Sequence, residues 1–166
     1  MTTKDSYAKE QLKKGMLLLL EEKNFPDISI SYLAQYSRTS RNSFYRNFTS
    51  KEDVIISMIT ERLLQWKNLS ETKDYKPDNQ RFTSLFDHFS SQRDFYLLLK
   101  KRQLFHLVLQ SLLDLFGPKP EFDNVVAYAT AFISYGTFGW IDEWVARGMQ
   151  ESAETMAELM AKNNLG

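Results

Sequence analysis

Apolar residues in this chain recur at helical spacing over almost its whole length. The first predicted helix, roughly residues 6–23, carries one such stripe: Leu12, Met16, Leu19 and Leu20. Comparable spacing returns in later segments, and only four prolines and six glycines interrupt the 166 residues. Because most of the apolar spacing is helical rather than alternating, the pattern predicts an all-α protein of about nine helices.

Two short helices are predicted in succession after residue 28. Ser29 can cap the first of these helices, and Leu33 on this helix is expected to face the core. Ser40 can cap the second, and Phe44 and Phe48, four residues apart, would seat that helix on the core. Two short helices joined by about four residues have the outline of a DNA-binding helix-turn-helix.

The second of these helices has polar side chains on the face opposite its phenylalanines. Arg41, Asn42 and Ser43 can exchange hydrogen bonds with base edges in a major groove. Tyr45 and Arg46 follow at positions where a hydroxyl and a cation can hold the phosphate backbone. We therefore predict a DNA interface with these contact residues: Ser29, Arg38, Thr39, Ser40, Arg41, Asn42, Ser43, Tyr45, Arg46 and Lys51.

Two short motifs carry a family resemblance. The run Ser40–Phe48 reads SRNSFYRNF, and Ser50–Val54 reads SKEDV, an approximate capping box for the next helix. With the spacing upstream, the stretch from Leu12 to Val54 resembles the N-terminal DNA-binding domain of the tetracycline-repressor (TetR/AcrR) family of transcriptional regulators. The resemblance implies that Arg41 and Asn42 read bases, and that Tyr45 and Lys51 contact phosphates.

The turn between the two short helices departs from the family pattern. The family usually has Ala-Gly-Val there, whereas this chain has Ser37-Arg38-Thr39. A residue other than glycine at a positive-φ position costs on the order of 1 kcal/mol. We therefore expect a strained or reshaped turn, with Arg38 within reach of DNA.

The charges of the chain are unevenly distributed, although 21 basic residues balance 21 acidic ones. Residues 1–51 hold nine basic and five acidic residues, a net charge of +4, and residues 28–51 hold no acid. Residues 119–166 hold three basic and seven acidic residues, a net charge of −4. A neutral total therefore does not exclude a nucleic-acid partner.

The chain divides at a polar stretch, residues 70–80, that contains Pro77. We predict a DNA-binding domain over residues 1–50, a connecting helix 4 and linker over residues 51–74, and a ligand-binding and dimerisation domain over residues 75–166. Helix 4 begins at Lys51 and ends near Trp66, so it is the natural lever between the two domains.

Residues 124–141 contain no charged side chain. Polar residues dilute the stretch and no Lys/Arg cluster flanks it, so a helix buried within a protein is favoured over a membrane span. One side would face its own core and the other a second copy of the chain. The resemblance of the last two helices to those of one TetR subgroup, in which they form a dimer's four-helix bundle, supports this homodimer. The predicted interface residues are Ala131, Gly136, Gly139, Trp140, Trp144, Met149, Met156 and Met160.

Aromatic residues are concentrated after residue 80, and the family resemblance implies a ligand pocket there. Tyrosine supplies a polar group in an otherwise apolar wall. Ordinary core packing is the alternative for each of these residues. The predicted pocket residues are Trp66, Phe89, Phe95, Tyr96, Phe105, Tyr128, Phe132 and Tyr135.

Other classes of function find little support in the sequence. No cysteine is present, and no nucleophile-elbow, P-loop, dinucleotide-binding or zinc-protease motif occurs, so neither an enzyme nor a cofactor is expected. His88 and His106 lie eighteen residues apart without a third ligand at suitable spacing, which argues against a metal site. His106, on an otherwise apolar helix, is expected to be a structural residue.

With the family resemblance, the sequence thus predicts a dimeric TetR-type repressor. Its affinity for a palindromic double-stranded DNA operator is expected to be controlled by a small-molecule or protein effector. No signal peptide is visible, so a cytoplasmic location is expected. The alternative is a helical module that binds small hydrophobic molecules or a protein partner without acting on DNA.

Overall fold

The computed structural model describes the backbone of residues 3–71 and 78–163 and the side chains of residues 6–70 and 82–162. This part of the chain holds nine α-helices, one short 3-10 turn at Phe25–Asp27 and no strand, which confirms the predicted all-α class. The helices are α1 (Thr3–Glu22), α2 (Ile30–Tyr36), α3 (Arg41–Asn47), α4 (Lys51–Glu71), α5 (Asp78–Ser91), α6 (Arg93–Lys101), α7 (His106–Phe116), α8 (Asn124–Ala146) and α9 (Ala153–Asn163).

The chain separates into two compact units, Met1–Ile59 and Thr60–Gly166. Helix α4 contributes its residues up to Ile59 to the first unit and those from Thr60 onward to the second. Part of the polar stretch predicted as a linker, residues 72–77, lies outside the described residues.

The first unit packs α1 against α2 and α3 around one apolar core. The stripe predicted on α1 is fully buried, as are Leu33 and Phe44 on the two short helices. Gly15 lets α1 approach the end of α2 closely, because a Cβ at this position would overlap the Oγ of Ser37. A core of this kind holds α2 and α3 in a fixed relation through buried side chains from both helices.

Three serines cap the helices of the first unit as predicted. The Oγ of Ser29 accepts from the backbone N–H of Tyr32 at 3.1 Å, and the Oγ of Ser40 accepts from Ser43 at 3.1 Å. The Oγ of Ser50 accepts from the backbone N–H of Asp53, also at 3.1 Å. Each cap satisfies an N–H group that the first turn of a helix leaves without an intrahelical partner.

The second unit packs α5 against α9, and α8 against both α6 and α7. Helix α8 is capped by Asp123, whose carboxylate accepts from the backbone N–H of Val126 at 3.0 Å. It ends at Ala146, and Gly148, two residues later, has φ +81°, the left-handed conformation that commonly follows the end of a helix. Among the described residues no helix is both long and apolar enough to cross a membrane.

Candidate nucleic-acid interface

Helix α3 presents its polar face outward because its opposite face is anchored. Phe44 is fully buried and Phe48 is 3% exposed, and their ring centroids lie 5.9 Å apart. Since residues four apart share one face of a helix, the side chains between them turn away from the core. Asn42, Tyr45 and Arg46 are exposed as a result, and Arg41 is exposed at the first position of the helix.

The exposed side chains at the start of α3 are available to a ligand. The guanidinium of Arg41 and the amide of Asn42 form no hydrogen bond or ion pair with any described residue. The hydroxyl of Tyr45 likewise has no hydrogen-bond partner among them, while its ring packs edge-on against Phe44 at 5.4 Å. An arginine and an asparagine in this state can each form a bidentate contact with a base edge.

Several predicted contact residues already have partners within the fold. Ser29 caps α2, Ser40 caps α3, and the hydroxyls of Ser40 and Ser43 lie 3.0 Å apart. The Oγ1 of Thr39 donates to the carbonyl of Ala34 at 3.4 Å. These hydroxyl groups therefore stabilise the two short helices and the turn between them.

Two of the other predicted cations, Arg46 and Lys51, already have partners within the fold. Arg46 donates from Nη2 to the Oγ of Ser43 at 3.3 Å. The Nζ of Lys51 donates to the carbonyl of Phe25 at 3.0 Å and lies 4.5 Å from the centroid of the Phe25 ring. Sequence spacing gave no sign of this contact between the start of α4 and the turn after α1.

The turn between α2 and α3 is a Schellman motif built without glycine. The N–H of Arg38 donates to the carbonyl of Gln35 at 3.1 Å, and that of Thr39 to Ala34 at 2.9 Å. Arg38 has φ +53°, so the expected positive-φ strain is present at this residue. Ser37 is buried beside it, with its Oγ unpaired in the structure.

Five of the predicted pocket residues come together in the second unit. Phe89 and Tyr96 are fully buried with centroids 4.2 Å apart, and Phe95 and Phe105 lie 5.2 Å and 6.3 Å from Tyr96. Trp66 borders the group and donates from Nε1 to the Oγ of Ser84 at 3.0 Å. The rings contact one another, so this region is a packed aromatic cluster.

His88, which was not among the predicted pocket residues, lies against this cluster. Its Nε2 lies 2.9 Å from the hydroxyl of Tyr96. Burial, followed by the nearby Arg62 guanidinium, lowers the pKa of His88 to about 4, and burial raises the pKa of Tyr96 well above its usual range. The sequence feature that could have indicated this pair is that His88 and Tyr96, eight residues apart, both lie on apolar faces of predicted helices.

The other three predicted pocket residues lie elsewhere. Tyr128, Phe132 and Tyr135 are 72%, 77% and 55% exposed on the N-terminal half of α8. They therefore do not line a common pocket with the aromatic cluster, because α8 turns this face away from its own unit. Val125, also on this face, is 77% exposed.

The predicted dimer residues divide into two groups. Trp144, Met149, Met156 and Met160 are at most 8% exposed and pack in the core of the second unit, although Trp144 and Met156 also border an open groove. Gly136 and Gly139 are exposed, whereas Ala131 and Trp140 are half-buried. Both glycines, with Trp140 and Leu159, line an open groove of about 420 Å³ between α8 and α9.

The second histidine and the acidic residues form no metal centre in the described part of the chain, where no cluster of three potential ligands occurs. His106 is exposed at the first position of α7. His106 therefore lies outside the buried apolar face of α7, whereas His88 of α5 is half-buried against Tyr96. The reason is that α7 begins at residue 106, so its apolar face starts one residue later.

Comparison with known proteins gives two findings. The sequence model of a family described as "Transcriptional regulator C-terminal region" (TetR_C_8) matches residues 79–164, just over half of the chain. A solved structure, described as that of the fatty acid degradation regulator FadR from Bacillus halodurans, is similar with a TM-score of 0.60 and 17% sequence identity. The similarity covers 95% of this chain and 94% of that one, and it shows a shared fold. No curated protein sequence matches the chain.

Proposed function

Because the chain belongs to the TetR-type transcriptional regulators, we propose that it represses transcription by binding a palindromic DNA operator as a homodimer. The observation that carries this proposal is the outward face of α3, where Arg41 and Asn42 are exposed and have no partner in the described part of the chain. Arginine pairs with the O6 and N7 of guanine and asparagine with the N6 and N7 of adenine. Each such pair discriminates against a wrong base by about 1–3 kcal/mol.

Contacts with the DNA backbone would fix the register of α3 in the groove. The free hydroxyl of Tyr45 suits a phosphate oxygen, and Arg46 and Lys51 add positive charge on the same unit. Lys51 keeps protons for a phosphate, since an ammonium has three and Phe25 accepts one. Its contact with Phe25 would hold the ammonium in place before DNA arrives.

We place the dimer contact on the N-terminal half of α8. An exposed face with Val125, Tyr128 and Phe132, on a helix without charge from residue 124 to residue 141, is costly to leave in water. A second copy related by two-fold symmetry would cover it with the same face. The two α3 helices would then enter successive major grooves about 34–36 Å apart.

Effector control belongs to the second unit in this proposal. The aromatic cluster gives an apolar surround with one polar pair, His88 and Tyr96, so a hydrophobic effector that opens the cluster is the chemistry we propose. The similar B. halodurans protein is named a regulator of fatty acid degradation, which fits that class of effector. An effector can release DNA only to the extent that it binds the two conformations with different affinities.

Selection of binding sequences from a random pool of DNA duplexes tests the proposal. We expect a palindromic sequence to be enriched, and fluorescence anisotropy to show at least a 10³-fold preference for it over scrambled duplex at physiological salt. Arg41→Ala with Asn42→Ala should abolish most of that preference.

A matched control removes one cation and one amide from the second unit, Lys101→Ala with Gln110→Ala, both exposed in the structure. This control should keep the preference for the selected sequence. Weak binding that is independent of sequence and unaffected by changes at Arg41 and Asn42 would contradict direct readout. The absence of any salt-dependent DNA binding would overturn the proposed function itself.

A further inference from the structure

Arg38 occupies a position where its side chain contributes nothing visible to the fold. It is exposed, and it forms no side-chain hydrogen bond, ion pair or ring contact with any described residue. Its backbone has φ +53°, a conformation that glycine adopts without steric cost. An arginine here therefore strains the turn, and among the described residues no side-chain contact offsets that strain.

The left-handed conformation alone does not identify a ligand contact. Gln103 has φ +61° at the matching position of the same kind of helix end, and Met149 has φ +52° directly after Gly148 at another. Met149 buries its side chain in the core of the second unit, and Gln103 is exposed but uncharged. Arg38 differs from both because it combines the left-handed backbone with an exposed cationic side chain that has no partner among the described residues. It also lies next to α3, the helix that carries the proposed base contacts.

The surroundings of Arg38 favour an anion. Residues 28–51 contain no acidic side chain, so no carboxylate from this segment competes for the guanidinium. Of the other two turn residues, Ser37 is buried and Thr39 donates its hydroxyl to Ala34. Arg38 is thus the turn residue whose polar side chain is left for a ligand.

The position in the chain points to a phosphate. Arg38 lies two residues before the N-cap Ser40 and three before Arg41, the first residue of α3. When the first turn of a recognition helix lies in a major groove, the preceding turn lies at the groove edge, where the phosphates are. An arginine fork binds phosphate oxygens in a bidentate manner.

We propose that Arg38 is a phosphate-anchoring residue of the DNA interface, at the edge of the groove that α3 enters. This inference rests on the proposed function and adds to it a residue that sets affinity for all sequences rather than the choice of sequence. Each protomer would supply one such contact, so a dimer would supply two.

The test compares Arg38→Gln, Arg38→Lys and Arg38→Gly by fluorescence anisotropy, on the selected operator duplex and on a scrambled duplex of the same length, from 0.05 to 0.3 M salt. Loss of one phosphate contact reduces the slope of log K against log salt by about 0.9 and the affinity at 0.15 M salt by about 5-fold. For a dimer, Arg38→Gln should therefore reduce the slope by about 1.8 and the affinity by about 30-fold, on both duplexes.

The variants separate charge from strain. Arg38→Lys keeps the charge and should keep the wild-type slope of log K against log salt. Arg38→Gly removes the charge and should reduce that slope as Arg38→Gln does. It should also raise Tm by about 1–3 °C, because glycine relieves the strained turn. Lys101→Gln, which removes an exposed cation from the second unit, should leave the slope unchanged.

Unchanged affinity and slope for Arg38→Gln would overturn the inference while leaving the proposed function intact. A loss confined to the operator duplex would also overturn it, because Arg38 would then read a base. Failure of the wild-type protein to bind either duplex would be a failure of the proposed function, which this comparison distinguishes.

Discussion

Protonation of His88 should destabilise the folded protein as the pH falls. The pKa of His88 is lowered from 6.5 to about 4 in the fold, first by burial and second by the Arg62 guanidinium. A lowered histidine pKa means that the unfolded chain binds the proton more tightly than the folded one. The stability contributed by neutral His88 is therefore fully present above pH 6.5 and is lost as the pH falls through the range between 6.5 and about 4.

The size of the effect follows from the two pKa values. One pKa unit corresponds to 1.36 kcal/mol, so the full displacement corresponds to about 3 kcal/mol. Between pH 7 and pH 5 the folded His88 stays neutral while most unfolded chains gain the proton. The free energy of unfolding should fall by about 2 kcal/mol over that interval because of this one residue.

Urea unfolding at 25 °C, followed by circular dichroism at pH values from 7 to 5, measures this change. The reference is His88→Gln, which cannot titrate but keeps an acceptor for the hydroxyl of Tyr96. All other groups, including the exposed His106, are common to both proteins, so the difference between the two unfolding free energies isolates His88. A difference that stays constant between pH 7 and pH 5 would refute the reasoning.

Three further predictions concern packing, capping and assembly. Gly15→Ala should lower the free energy of unfolding by about 1–3 kcal/mol in urea titrations, because the added methyl group meets Ser37. Gly139→Ala, whose methyl group would meet nothing within 4 Å, should be neutral or stabilising, and an equal loss in both variants would contradict the packing argument. Ser40→Ala should cost about 1 kcal/mol by removing the cap of α3, and an unchanged urea midpoint would show that the cap contributes nothing. Phe132→Asp should convert a dimer to monomers in light scattering at micromolar concentration, whereas Leu18→Asp, an exposed apolar residue of the first unit, should not. A wild-type monomer, or a Phe132→Asp dimer, would contradict the proposed interface.

Local features were predictable because they depend on neighbours in the sequence. The buried stripe on α1, the caps at Ser29 and Ser40 and the end of α8 shortly before Gly148 each follow from residues within one or two helical turns. The motif of α3 and the anchoring role of Phe44 and Phe48 follow from the same periodicity. These features also located the proposed contact surface, since an anchored face defines the face that is left outside.

Contacts between distant residues could not be read in this way. The contact of Lys51 with Phe25 joins positions 26 residues apart, and the exposure of Tyr128, Phe132 and Tyr135 depends on which face of α8 meets α6 and α7. Periodicity shows that a face is apolar, but it does not show whether the same chain covers that face.

The amino-acid sequence by itself determined the helical class, the helix ends and the outline of the helix-turn-helix, because hydrogen bonding and side-chain spacing within a helix are local. Tertiary structure decided which of the ten predicted DNA-contact residues keep free side chains, that His88 is half-buried while His106 is exposed, and that Trp144 and three methionines belong to the core. It also showed that Arg38 has a positive φ in the turn and that its guanidinium has no partner among the described residues. The physical reason is that a side chain's partners and its burial depend on the elements packed around it, and those elements come from remote parts of the chain.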